Sequence, residues 1–264
     1  MSDYKIDISL SSPIFQKTTG STNMIMLDAL LARIALERKG IRKTSVELLP
    51  ENLIFANLPI ERVEKCYLCS GHFATHSVYS KPDFFAKRAT DSQSVRAVSP
   101  FFHSTGAVSH PALIPHYAVA TKGITFYVRV MDSRKDEFFD LLKDVKLYGI
   151  GPKTSIGYGQ VAGLQIVVNK TQPDLCYKTA EGIPTRPLPI SLFKNEFQGR
   201  SDVPTGMSNY FAPYWFRKNN VPCYLPKPEQ YTGLEKFNVD IMKDVRSELV
   251  KKVLEKKEKK QKRA

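Results

Sequence analysis

The sequence predicts an α+β fold, a mostly antiparallel sheet carrying its helices on one face. Two observations predict it. The patterned segments run in the order strand, helix, hairpin, helix, strand. The two helical segments each have a single apolar stripe, which asks for one buried face rather than two. The chain has 264 residues, 42% of them hydrophobic and 25% charged, enough for one sizeable core and too apolar for wholesale disorder.

Tyr4-Lys-Ile-Asp-Ile-Ser-Leu10 alternates polar and apolar residues, as a half-buried strand does. A linker rich in Ser, Thr and Pro follows, to about Asn23. Leu27, Leu30, Leu31, Ile34 and Ala35 then recur at helical spacing, with Asp28, Arg33, Glu37 and Arg38 off the stripe. Thr22 or Asn23 is the expected cap and Gly40 the expected stop. Ser45-Val-Glu-Leu-Leu49 reads as a short strand. Residues 116–120 and 124–130 carry strong strand pattern, and Thr121-Lys-Gly123 between them reads as a hairpin turn. Asp132 or Ser133 is placed to cap a second helix, whose stripe is Phe138, Leu141, Leu142 and Val145. A last strand is expected from about Tyr158 to Val168.

That order is the split βαβ, or ferredoxin-like βαββαβ, arrangement with one interruption. Residues 56–115 are too long for an ordinary connection and are expected to leave the sheet as a functional excursion. Residues 170–235 hold many of the prolines, and the single tryptophan, Trp215, among Tyr210, Phe211, Tyr214 and Phe216. They read as an irregular C-terminal extension held down by aromatic anchors. The expected division is therefore 1–168, with the insertion at about 56–115, then 169–240 and a basic helical tail at 241–264.

Lys and Arg number 39 against 26 Asp and Glu, a net charge of +13, which favours polyanions such as nucleic acid. Residues 241–264 contribute a net +6, so residues 1–240 remain basic at +7 without them. The tail opens amphipathically, with Met242, Val245, Leu249 and Val253 on one face, and ends in a Lys/Glu run that reads either as a solvated helix end or as a non-specific contact for nucleic-acid phosphates. No apolar run approaches the ~20 residues that a membrane-spanning helix needs. With acids near Met1 where a signal peptide would be basic, the reading is a soluble, cytoplasmic protein with no membrane partner.

Gly149-Ile-Gly151-Pro-Lys-Thr-Ser-Ile-Gly157-Tyr-Gly159 is the most informative stretch. It has neither dinucleotide-fingerprint spacing nor the Gly-Lys-Ser/Thr ending of a phosphate-binding NTPase loop. Glycines open the backbone so that N–H groups can converge on an anion, Lys153 adds a mobile charge, and Thr154 and Ser155 add hydroxyl donors. A tight helix-to-strand crossing would also use such glycines.

A Gly-x-Gly, polar apex, Gly-x-Gly loop entering the last strand of a ferredoxin-like domain resembles the glycine-rich loop of the CRISPR-associated RAMP superfamily. Met26-Leu-Asp-Ala-Leu-Leu-Ala-Arg-Ile-Ala35 is similar to an early helix common in that group, and Asn57-Leu-Pro-Ile-Glu-Arg62 resembles a segment of the group five Cas subunit of type IV effector complexes. The resemblance covers roughly residues 4–168. It implies a non-catalytic subunit that holds the 5′ handle of the crRNA in a ribonucleoprotein effector complex. It also implies filament-forming RAMP backbone subunits and a large subunit as partners, and target DNA indirectly. Under it, Gly149, Gly151, Lys153, Thr154, Ser155, Gly157 and Gly159 contact the guide, and Arg33 and Arg42 extend the basic face. Residues 80–112 would form a thumb in which Lys81, Lys87, Arg88 and Arg96 are spread among Phe84, Phe85, Phe101 and Phe102, cations for phosphates beside faces for bases.

The alternative is a metal-independent endoribonuclease that processes CRISPR precursor RNA. It would draft His116 or His103 with Tyr117 and Lys122, residues that spacing does not bring together. Cys66-Tyr-Leu-Cys69 with His72 or His76 invites zinc, but Cys176 and Cys223 are remote and form no second pair. Strand alternation would also put Cys66 and Cys69 on opposite faces. Two buried thiols, and neither metal nor cofactor, are the expectation.

Overall fold

The structure is a computed structural model. It describes residues 1–17, 24–40, 57–87, 112–151, 154–212, 214 and 220–227, with backbone alone at 15–17, 75–87, 112–120, 156 and 173. All of these belong to the compact unit Met1–Gly233, while the tail lies outside the described residues.

Strand β1 (Ser2–Leu10) buries Tyr4, Ile6 and Ile8 and turns Lys5 and Asp7 to the other face, the predicted alternation. It is flanked by β6 (Ala112–Val130) and β7 (Val161–Val168), both antiparallel to it, and β5 (Phe73–Lys87) pairs antiparallel with β6 beyond. The order across the main sheet is therefore β7–β1–β6–β5. A short β2 (Ile14–Lys17), inside the expected linker, pairs with residues 116–119 of β6.

One face of this sheet carries the core. Helix α1 (Leu27–Arg38) lays Leu27, Leu30, Leu31 and Ile34 against Ile6, Ile8, Phe126 and Val128. Helix α2 (Lys135–Lys143), with the single turn α3 (Val145–Tyr148), adds Phe138, Leu141, Leu142 and Val145. The opposite face is charge-balanced: Arg129 pairs with Asp3 at 2.8 Å and Lys5 with Asp7 at 2.8 Å.

Several expectations are corrected. The hairpin turn at 121–123 does not form; β6 runs through it unbroken, and its hairpin partner is β5. Gly123 lies between Ser9 of β1 and Thr75 of β5, so pairing on both sides outweighs the local turn signal. The Thr121 hydroxyl donates to the Gly123 carbonyl at 2.8 Å. Asp132 and Ser133 do not cap α2. They sit in a 3₁₀ turn, Asp132–Arg134, where the Asp132 carboxylate accepts from the Ser2 hydroxyl at 2.7 Å instead. Met26 takes the N-cap place of α1, with Thr22 and Asn23 outside the described residues. Gly40 follows α1 at φ +70°. The last strand starts at Val161, later than expected. The expected strand at 45–49 lies outside the described residues.

The C-terminal extension is not irregular. Strands β8 (Leu188–Pro189), β9 (Thr205–Ser208) and β10 (Val221–Tyr224) form a second sheet in the order β8–β10–β9, with helix α4 (Ile190–Phe197) beside it. Strands of two to four residues are too short to show a period, so their prolines are the stronger local signal. Ile183, Leu188, Phe193, Phe197, Val203 and Tyr224 make a separate core there, joined by Cys66. Cys66 comes from a small hairpin of β3 (Arg62–Val63) and β4 (Cys66–Tyr67), so the start of the excursion is packed rather than free. Its further part continues as β5 and β6, whose ladder reaches Lys87 opposite Ala112. Residues 88–111, the tip of the expected thumb, lie outside the described residues.

Candidate nucleic-acid interface

The loop between α3 and β7 is built by its glycines. Gly149, Gly151, Gly157 and Gly159 have φ of +67°, +80°, +94° and +60°, the left-handed region that other residues enter only with strain. Close approach adds a second requirement: a Cβ on Gly159 would lie 1.9 Å from the Ile150 carbonyl oxygen. The Ile150 N–H donates to the Gly159 carbonyl at 2.9 Å and the Gly159 N–H to the Pro13 carbonyl at 2.8 Å. Gln160 braces the loop further: its N–H donates to the Ser12 hydroxyl at 2.8 Å and its Nε2 to the Thr154 carbonyl at 3.1 Å.

These bonds redistribute the chemistry expected of the loop. The amides of Gly149, Ile150, Gly157 and Gly159 are committed to protein carbonyls. The 3₁₀ turn Thr154–Ile156 adds hydroxyl donors for an anion, Thr154 half-buried and Ser155 exposed. Arg33 joins them. Its Nη2 reaches the Thr154 hydroxyl oxygen at 3.4 Å and its Nε donates to Glu37 Oε1 at 2.9 Å. Helix α1 thus brings a cation to the glycine loop across 121 residues of sequence.

Of the other sequence-selected residues, Lys81 and Lys87 are placed by backbone alone, opposite Ala118 and Ala112 in the β5–β6 ladder. Lys153, Arg42, Arg88 and Arg96 lie outside the described residues. So do His103 and His110, and His116 is placed only by register, opposite Lys17 and Asp83.

Sequence reasoning missed the group that fixes α1. Asp28, off the apolar stripe of α1, is fully buried with Arg186. Arg186 Nη2 meets Asp28 Oδ2 at 3.2 Å and donates to the Tyr210 carbonyl at 2.6 Å. Its Nη1 donates to the carbonyls of Tyr67 at 2.6 Å and Cys69 at 3.0 Å. The Tyr214 hydroxyl accepts from Arg186 and donates to Asp28 Oδ2 at 2.7 Å. One guanidinium therefore ties α1, β4 with the residues that follow it, and the C-terminal extension together. The available signal was an acid inside the apolar run Leu27-Asp-Ala-Leu-Leu-Ala32; nothing in the sequence marked Arg186 as its partner.

His72 is buried, its Nδ1 accepting the Ile25 N–H at 2.9 Å, and burial pushes its pKa down to about 4. All four cysteines are buried thiols outside any disulfide. Cys66 belongs to the second core and Cys69 to the main one, in line with opposite faces. Burial pushes the Cys66 thiol up to about 11. Among the described residues, no three metal-ligating side chains gather.

No protein-family profile matches the chain, and no curated protein matches it. Solved structures do. A chain in the cryo-EM structure of the type III-B Cmr-beta complex bound to cognate target RNA is similar at 12% identity and a TM-score of 0.35. That match covers 63% of this chain and 61% of the other. A chain of a type IV-B CRISPR complex is similar at 13% identity and a TM-score of 0.30, over 64% of this chain and 91% of that one. Among the described residues no helix is long and apolar enough to cross a membrane.

Proposed function

We propose that this protein is a non-catalytic guide-RNA-binding subunit of a CRISPR ribonucleoprotein effector complex of the type IV kind, holding the 5′ handle of the crRNA. We read the main sheet as a ferredoxin-like βαββαβ domain of the RAMP superfamily. The antiparallel order β7–β1–β6–β5, with α1 between β1 and β5 and α2 between β6 and β7, supports that reading. The observation that carries the function is the meeting of Arg33 with Thr154 on a loop held open by glycines, in a chain of net charge +13. A guanidinium beside hydroxyls suits a phosphodiester. The glycine loop grips phosphates through Lys153, Thr154 and Ser155. The outer part of the β5–β6 hairpin and the residues beyond it shape the handle-to-spacer junction. Guide pairing reads the target DNA, and backbone and large subunits complete the particle.

The test is RNA binding by the full chain across a salt series. Lys153→Ala with Ser155→Ala is expected to weaken binding of a handle-containing RNA and to lower the slope of log K against log salt by about one. Unchanged affinity and slope would refute the loop's role. Incubation with repeat RNA in EDTA should leave the RNA intact; specific cleavage abolished by His116→Ala would overturn the non-catalytic assignment.

A further inference from the structure

Arg33 is held on two sides. Its Nε donates to Glu37, one turn along α1, at 2.9 Å, while its contact with Thr154 is long at 3.4 Å. The side chains of Arg33 and Glu37 are each about a third exposed, so solvent and ligand reach both. A guanidinium has five donors, and these two contacts use one edge and one corner; among the described residues no acceptor engages Nη1. The fork formed by Nη1 and Nη2 is the edge that takes a phosphate in bidentate fashion.

We infer that Glu37 is an internal competitor for Arg33, a carboxylate that holds the guanidinium at the glycine loop and weakens its grip on an RNA phosphate. This rests on the phosphate-contacting reading of that loop and adds a regulation of the same site. The physical reason is charge. Whether phosphate displaces Glu37 or binds the opposite edge, it meets a fixed negative charge a few ångströms away. At near-aqueous screening, that repulsion corresponds to about three-fold in affinity, and salt erases it. The restraint would suit a subunit that must bind one guide and release stray RNA.

The opposite role makes the opposite prediction. If Glu37 only pre-positions Arg33, removing its charge loosens the guanidinium and weakens binding. The experiment uses the full chain and a fluorescein-labelled single-stranded RNA of handle length, followed by anisotropy from low to high salt. Glu37→Gln is expected to tighten binding about three-fold at low salt, with the gain fading as salt rises. Arg33→Gln is expected to weaken it, and in the double variant the gain from Glu37→Gln should vanish. Unchanged or weaker binding by Glu37→Gln overturns the inference, as does a gain that persists without Arg33, which would be a diffuse charge effect. The loop reading fails separately, when neither Arg33→Gln nor Lys153→Ala with Ser155→Ala changes affinity.

Discussion

Arg186→Met is the sharpest perturbation the structure offers. The guanidinium is fully buried, and it satisfies Asp28, three main-chain carbonyls and the Tyr214 hydroxyl at once. Methionine fills much of the volume but leaves the Asp28 carboxylate buried, with Tyr214 as its remaining side-chain donor among the described residues. Breaking a buried pair from one side costs about 3–5 kcal/mol, because a charge is left without its counter-ion. For a protein of this size that lowers the melting temperature by about 10 °C. Replacing both partners, as in Arg186→Met with Asp28→Leu, should recover a large part of the loss, since the stranded charge is gone. Urea denaturation of the wild type, both single variants and the double variant closes the cycle. A single-variant loss below about 1 kcal/mol, or a double variant no better than the worse single, would refute the argument.

Two further outcomes follow from the same geometry. Gly159→Ala is expected to destabilise far more than Gly157→Ala: both sit at positive φ, but only the Gly159 Cβ meets backbone, at 1.9 Å, while Gly157 has open space. Gly157→Ala should cost about 1–2 kcal/mol from backbone strain alone, so equal losses in chemical denaturation would contradict the close-approach reading. His72 gives a pH signature. Its folded pKa, pushed down to about 4, lies below the unfolded value near 6.5, so the unfolded chain binds the extra proton and stability falls as pH drops through that window. The loss from this residue approaches about 3 kcal/mol by pH 4, and His72→Gln should flatten the urea midpoint between pH 7 and 4.5; an unaltered slope would sink the assignment.

The two amphipathic helices, the alternation of β1 and the glycine loop were legible in the sequence because each is local. A 3.6 or 2.0 period, or four glycines around a polar apex, needs no partner to be recognised. The loop's double constraint was not legible, since the clash at Gly159 comes from Ile150 folding back over it. Nor was the unbroken β6, where Thr121-Lys-Gly123 carries a turn's composition and becomes strand only because neighbours pair on both sides. The same holds for charge. From sequence, Asp28, Arg33 and Glu37 were three polar residues off one stripe. Tertiary structure sent Asp28 inward to Arg186, which lies 158 residues away, and left Arg33 and Glu37 at the loop. Sequence by itself determined which faces are apolar and how much positive charge the chain carries. Only the fold decided where each charge meets its counter-charge, because a side chain's electrostatic role depends on distances and burial that no local pattern encodes.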